Sequence, residues 1–260
     1  MGVTNRAAEI LRLVRLRGSC RITDLAEELN VSDETIRRNI RPLVRRGMVL
    51  KVHGGIMLPD RLEEPPFQNR MQENREAKQR IAALAATEAK DGDSIILDGG
   101  TTTSHVALAL NGHRDLQVVT NSTGIARSLV GKNGNSVFIT GGELRADDGA
   151  AFGIRACEFV SRFQVRHAIL SVGAINTWGF LNQQLCESEF AQAAMARAER
   201  VIVVADQSKF GRDGFARICG MEDVDMLVSD QEPPASLARA LRDADVEILV
   251  AGEETMSATV

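Results

Sequence analysis

Ser94-Ile95-Ile96-Leu97-Asp98-Gly99-Gly100-Thr101-Thr102-Thr103 is the stretch on which the fold turns: a short apolar run, an acid, two glycines and three threonines. The apolar run predicts a buried strand over 94–97, the glycines a tight turn, and the spacing that follows a helix over 103–110. The same grammar continues on both sides. A helix is expected ahead of the stretch, over 75–89. Behind it come a strand at 116–120 with a helix at 124–130, then a strand at 136–140 with a helix around 155–161. A strand at 167–172, a helix over 186–198, a strand at 201–205 and a last helix–strand unit complete the series. Strands alternating with helices predict an α/β domain, a mostly parallel sheet with helices on its faces.

Ligands of such sheets sit beyond the carboxyl ends of the strands. Those positions are polar and rich in glycine here: Asp98 to Thr103, Asn121-Ser122-Thr123, Gly141-Gly142-Glu143, Gly173, and Asp206-Gln207-Ser208-Lys209. Two glycines let backbone amides approach an anion, three hydroxyls add donors, and the following helix turns its positive end to the same place. A phosphate cradle of Asp98, Gly99, Gly100, Thr101, Thr102 and Thr103 is therefore expected. Asn121, Ser122, Gly141, Gly142, Glu143, Gly173, Asp206 and Lys209 would surround the rest of the ligand. No Gly-Lys-Ser/Thr follows the glycines and no GxGxxG is present, so a nucleotide is not expected. Read alone, the loop is also compatible with a tight turn whose threonines cap a helix.

The first 58 residues are chemically different. They hold eleven Lys or Arg against six acids, a charge of +5, which leaves −9 for the remainder of a chain whose formal net charge is −4. A basic module on an acidic body is the charge pattern of a chain that touches nucleic acid through one domain. Ile10, Leu11, Leu13 and Val14 mark a helix over 4–17 that stops at Gly18. Thr23 is expected to cap a second helix with Leu25, Ala26 and Leu29 on its apolar face. Ser32 is expected to cap a third, with Asp33 and Glu34 in its first turn and Ile36, Ile40, Leu43 and Val44 inward. Two short helices joined by a tight turn, the second studded with Arg, read as a helix-turn-helix. Residues 48–52 and 56–58 around His53-Gly54-Gly55 read as a hairpin, the wing of a winged helix. Ser32, Asp33, Glu34, Thr35, Arg37, Arg38 and Arg41 are then candidate DNA contacts from the helix, and Lys51 and His53 from the wing. Pro42 removes a donor and crowds the carbonyl of Arg38, so the helix is expected to kink or tighten near its end.

Composition bounds the rest. With 260 residues, 44% hydrophobic and 25% charged, the chain is globular rather than disordered or fibrous. No apolar run approaches the roughly 18 residues needed to span a bilayer, and Arg6, Glu9, Arg12, Arg15 and Arg17 occupy the place of a signal peptide's apolar core, so the cytoplasm is expected. Cys20, Cys157, Cys186 and Cys219 lie far apart, which suggests neither a metal site nor a disulfide framework. No cofactor is expected. Three prolines and three acids in 59–66 mark a boundary, which divides the chain into a DNA-binding domain at 1–58, a linker at 59–74 and an effector-binding domain at 75–255.

Val31-Ser32, Thr35-Ile36-Arg37-Arg38 and Val52-His53-Gly54-Gly55 resemble the signature of DeoR-type bacterial transcription regulators. Asp98 to Thr103 is similar to the family's phosphate loop, Val118-Val119-Thr120-Asn121-Ser122 to its second strand end, and Asp206-Gln207-Ser208-Lys209-Phe210-Gly211 to its C-terminal signature. The resemblance implies a winged helix-turn-helix ahead of a sensor domain that shares its fold with ribose-phosphate isomerases. Gly141-Gly142-Glu143-Leu144-Arg145, Asp148-Gly149, residues 159–163 and Pro233-Pro234 look closest to the branch that responds to glycerol 3-phosphate. Asn39 stands where the family usually has Asp, Ala174 and Asn176 where Gly and Asp are usual, and Ala191 where Lys is common. What the resemblance implies is a regulator, a repressor of a carbohydrate or polyol operon, that releases operator DNA when a phosphorylated sugar or polyol binds, acting as a homo-oligomer without a membrane. The rival reading is a sugar-phosphate isomerase fused to a DNA module, with Asp98, Glu143 or Asp206 as base and Lys209 stabilising negative charge. A third is a DNA-binding scaffold whose second domain only dimerises.

Overall fold

The computed structural model describes residues 5–17, 19–46, 48–52, 54–57 and 65–252, which form two compact units. The first contains α1 (Asn5–Arg17), β1 (Ser19–Arg21), α2 (Ile22–Glu28), α3 (Asp33–Arg45), β2 (Leu50–Val52) and β3 (Gly55–Met57). Ile10, Leu13 and Val14 of α1 meet Leu25 of α2 and Ile36, Ile40 and Leu43 of α3 in one buried cluster, the helical spacing of the sequence turned into a core. Each fully buried side chain of this size stabilises by roughly 1.5–3 kcal/mol.

β3 is the middle of a three-stranded antiparallel sheet ordered β1-β3-β2. The β2–β3 hairpin is the expected wing, whereas β1 was not foreseen. Gly55 is obligatory in it, because a Cβ there would lie 2.5 Å from the carbonyl oxygen of Cys20 on β1. One local expectation is corrected. Thr23 is not a cap: α2 already begins at Ile22, its N-cap is Arg21, and the Thr23 hydroxyl bonds Asp24 at 3.2 Å. Pro42 lies in the last turn of α3, which continues to Arg45. Thr4, Gly18, His53 and residues 58–64 lie outside the described residues.

The second unit opens with α4 (Phe67–Gln72) and α5 (Arg75–Ala86), so the expected linker at 59–74 contains a helix. There follow β4 (Ser94–Leu97), α6 (Thr101–Ala109), β5 (Gln117–Thr120), α7 (Thr123–Leu129), β6 (Ser136–Ile139), α8 (Ile154–Val160) and β7 (Val165–Ser171). Next come β8 (Ala174–Asn176), β9 (Gly179–Asn182), α9 (Leu185–Met195), β10 (Ala198–Val204), β11 (Ala216–Cys219), β12 (Met226–Ser229), α10 (Ala235–Asp243) and β13 (Glu247–Val250).

Seven strands form one parallel sheet in the order β13-β12-β10-β7-β4-β5-β6. Ile95, Leu97, Val118 and Ile202 point to one face, under α5, α6 and α7, where Ile81, Val106 and Ile125 cover them. Ile96, Val119, Leu170 and Val203 point to the other, under α8, α9 and α10. Apolar side chains on both faces are why these strands read as continuous hydrophobic runs. The remaining strands make a small antiparallel sheet, β11-β9-β8, whose Phe180, Ile175 and Ile218 pack onto the second face. That sheet was not expected. None of the four cysteines is joined in a disulfide. Among the described residues no helix is long and apolar enough to cross a membrane.

Strand order reverses beside β4: the chain moves outward through β5 and β6, then returns to β7 on the other side. The carboxyl ends of β4 and β7 therefore flank the crevice in which open parallel sheets bind ligands.

Candidate functional site

In the first unit the candidate contacts gather on α3. The Ser32 hydroxyl caps the helix by accepting from the Thr35 amide at 3.3 Å and lies 3.0 Å from the Thr35 hydroxyl. The Asn39 side-chain amide donates to the Thr35 carbonyl at 2.9 Å. With Ile36, Ile40 and Leu43 buried, the opposite face presents Asp33, Glu34, Arg37, Arg38 and Arg41 to solvent, and Arg45 extends it by one turn. Lys51 is exposed on β2. An exposed arginine row on a capped second helix is the arrangement that enters a major groove.

In the second unit the site grows from the end of β4. The Asp98 carboxylate is buried and accepts from the Ser171 backbone N–H at 3.0 Å, the Ser171 hydroxyl at 3.0 Å and, at 3.4 Å, the Gly100 N–H. Burial pushes its pKa up to about 6, against the opposing hydrogen bonds from Thr103, Ser171 and Gly100. α6 then begins with Gly100 as N-cap, a residue with no side chain to satisfy the first-turn amides. Those amides have no intrahelical acceptor, and the helix dipole adds positive potential at the same point. Thr101 and Thr102 stand there, both largely buried.

The two glycines serve packing as much as approach. A Cβ on Gly100 would lie 1.7 Å from the Ser171 hydroxyl oxygen, and one on Gly99 would lie 3.0 Å from Ala150 Cβ. Thr103 departs from its expected role: its hydroxyl donates to the carbonyls of Asp98 (2.9 Å) and Gly100 (3.0 Å), which makes it a clamp on the loop. Ser122 does too, since its hydroxyl caps α7 by accepting from the Ile125 amide. So does Gly173, whose N–H donates to the Asn182 side chain at 2.8 Å and to the Leu181 carbonyl.

Asn121 is fully buried beside Gly99. Its Nδ2 donates to the Ala151 carbonyl at 3.1 Å, while its Oδ1 is buried without a hydrogen-bond partner. Gly141, Gly142 and Glu143 are exposed on the loop that follows β6. That loop is stapled by Arg145, whose guanidinium meets Asp148, Glu187 and Gln184 and stacks 4.4 Å from the Phe152 ring.

At the end of β10, buried Asp206 caps the short turn at Gln207–Lys209 through the Ser208 N–H (3.0 Å) and accepts from Asn74 Nδ2 at 2.9 Å. Lys209 is half-buried on that turn. The sequence reading missed Lys78 of α5, the one Lys or Arg buried among the described residues. Burial lowers its pKa, and nearby Asp206 offsets this while Lys209 adds to it. Its ammonium donates to the Arg70 carbonyl at 2.6 Å. His105, one turn into α6, is also buried, its pKa lowered by burial and then by Lys78, and its Nε2 has no hydrogen-bond partner. In a helix rich in Arg and Gln, Lys78 reads as one more solvated residue, and only its burial singles it out.

These groups can bind an anion. Neither Asp98 nor Asp206 is poised as a base, because Asp98 is held by Ser171 and Asp206 by Asn74 and Ser208. Among the described residues no cluster of His, Cys, Asp or Glu is placed to hold a metal ion.

Residues 6–61 match the DeoR-like helix-turn-helix domain, and residues 73–231 match the DeoR C terminal sensor domain. The glycerol-3-phosphate regulon repressor of Escherichia coli K12 is 32% identical over 249 residues, covering 95% of this chain and 99% of that protein. The HTH-type transcriptional repressor CsqR of the same organism is 34% identical over 250 residues, 96% of each chain. Two solved structures are similar to parts of the chain at low identity. Ribose 5-phosphate isomerase A of Methanocaldococcus jannaschii has a TM-score of 0.38 at 16% identity, over 52% of this chain and 54% of that one. eIF2B beta of Chaetomium thermophilum has a TM-score of 0.47 at 18% identity, over 68% and 56%.

Proposed function

The chain belongs to the DeoR family of transcriptional repressors, and we propose that it represses a carbohydrate or polyol catabolic operon and releases its operator when a phosphorylated sugar or polyol, glycerol 3-phosphate first among them, occupies the second unit. The observation that carries this reading is the start of α6. Unsatisfied first-turn amides, an N-cap without a side chain and two buried threonines converge there at the reversal of strand order. The amides and the Thr101 and Thr102 hydroxyls hold the phosphate, Lys209 supplies charge, and Asn121 and Glu143 read hydroxyl groups on the carbon chain. Thr103, Ser122, Gly173 and Asp98 hold the frame.

On DNA, Arg37 and Arg38 read base edges in the major groove. Ser32, Asp33, Glu34, Thr35 and Arg41 line the same approach, while Lys51 and His53 of the wing touch phosphates. One winged helix makes few base contacts, so a homo-oligomer places two or more modules on one operator. It acts in the cytoplasm, where its operator lies. The chain is a regulator and not an isomerase: its relatives are named repressors.

The test is operator binding by the purified full chain with glycerol 3-phosphate and with glycerol. The phosphate ester is expected to weaken operator binding roughly 5- to 150-fold, the range of ordinary allosteric couplings, and glycerol to do nothing. If no phosphorylated three- to six-carbon sugar or polyol releases the operator, the effector assignment is wrong.

A further inference from the structure

The chain enters the second unit through residues 65–78, and these are fastened to the very elements that form the effector site. At one end the Phe67 amide, the first of α4, donates to both carboxylate oxygens of Asp147 at 3.0 Å, and Arg70 lies 3.9 Å from the same carboxylate. Asp147 sits on the loop after β6, beside the Arg145 staple. At the other end Asn74, held in the left-handed region at φ +51°, donates to Asp206. Beyond Asn74, Lys78 reaches back to the carbonyl of Arg70, and α4 lies against α6.

Lys78 is the unusual member. Its ammonium is buried, yet its hydrogen bond goes to a neutral carbonyl, with Asp206 and Lys209 within electrostatic reach. A phosphate oxygen is a stronger partner for an ammonium than a carbonyl is. α5 packs along α6, and Lys78 acts electrostatically on His105 one turn into that helix, so an anion arriving at the start of α6 would compete with Arg70 for the ammonium.

Resting on the effector reading above, we propose that residues 65–78 are a latch: Asn74 on Asp206, Phe67 on Asp147 and Lys78 on Arg70 hold it closed, and a bound phosphate draws Lys78 from Arg70 and opens it. Because this segment continues toward the DNA-binding unit, its release is how occupancy reaches the operator. The closed latch belongs to the operator-binding state. Occupancy and operator binding are then coupled through one short helix and need no rearrangement of the sheet.

The test uses the double variant Asn74→Ala, Asp147→Ala in the full chain, which cuts both ends of the latch and leaves Thr101, Thr102, Lys78 and Lys209 in place. Without any ligand it is expected to bind operator roughly fivefold or more weakly than wild type while still unfolding cooperatively. In wild type, glycerol 3-phosphate is expected to speed hydrogen exchange at the Phe67 amide. Unchanged operator affinity in the double variant overturns the latch. So does a Phe67 amide that stays protected while glycerol 3-phosphate releases the operator. A wild type that ignores every phosphorylated probe, beside a double variant that still loses operator affinity, removes the effector reading and keeps the latch.

Discussion

Asp98 at the end of β4 and Ser171 at the end of β7 are joined across the reversal of the sheet, the carboxylate accepting from both the backbone N–H and the hydroxyl of Ser171 at 3.0 Å. The crevice that sheets of this kind leave open between such strands is closed at its base by this pair. Its floor is therefore rigid, and the first turn of α6 rises from it.

Gly100 is the residue that this closure demands. Since a Cβ would fall on the Ser171 hydroxyl, Gly100→Ala is expected to cost about 1–3 kcal/mol through overpacking, read from urea unfolding. Ser171→Gly, which removes the colliding atoms, should recover most of the added cost in the double variant. If the two substitutions are simply additive, the clash is not the cause.

Asp98 also sets a pH dependence. Its folded pKa, about 6, lies above the ordinary 3.8, so the folded chain holds this proton more tightly than the unfolded chain does. The advantage is full below the unfolded value and is lost as pH rises through the folded one, amounting to about 3 kcal/mol across that window. Asp98→Asn does not titrate. Its stability relative to wild type should therefore climb by about that amount between pH 3 and pH 7, and a flat difference would show that Asp98 is not protonated there.

Most of the seven-stranded sheet was legible because its strands are apolar runs bounded by polar turns, as in Ser94–Leu97 and Gln117–Thr120, whereas Met226–Ser229 was not foreseen. The small sheet was not. Ala174–Asn176, Gly179–Asn182 and Ala216–Cys219 are three or four residues long, and Ala216 pairs with Asn182 far back in the chain, so no local pattern marks them. The site divides in the same way. Asp98 to Thr102 announced themselves by composition, whereas Ser171 was hidden at the end of a strand and Lys78 and Asn74 in what read as a helix and a linker. The backbone roles of two hydroxyls were not legible: Thr103 donates to backbone carbonyls and Ser122 accepts from the Ile125 N–H.

Arg145 should prove structural. Burial opposes its charge, but Asp148 and Glu187 outweigh that and hold the guanidinium protonated, while Asp148 is almost wholly enclosed. Arg145→Ala leaves the Asp148 carboxylate buried without its cation and is expected to destabilise by about 3 kcal/mol. Pairing it with Asp148→Asn should return a large part of this. Unfolding curves that match wild type for the single variant would show the staple to be idle.

On α3, Arg37→Ala or Arg38→Ala is expected to cost on the order of 1–3 kcal/mol of operator binding and to relax the choice of base at one position. Lys51→Ala should weaken all sequences alike and flatten the salt dependence by about one unit of slope. Operator affinity unchanged in the Arg37, Arg38 double variant would remove α3 from the groove.

The first turn of α6 separates binding from architecture within three consecutive threonines. Thr103 shares its one O–H between the carbonyls of Asp98 and Gly100, so Thr103→Val removes the clamp from a buried loop and should lower stability before anything else. Thr101 and Thr102 stand in the same turn, where the helix amides lack intrahelical acceptors, and theirs are the hydroxyls that we propose bind the phosphate. Two lost bonds to a charged group, each worth about 1.5–3 kcal/mol, should weaken the effector at least about 100-fold in the Thr101→Val, Thr102→Val variant. Its fold and its operator affinity should stay close to wild type, since neither rests on those hydroxyls. The protein would then sit on its operator at effector concentrations that release wild type, a super-repressor, read by operator binding across a glycerol 3-phosphate titration. Release at the wild-type concentration would place the phosphate away from α6, and loss of cooperative unfolding would make these two threonines structural like Thr103.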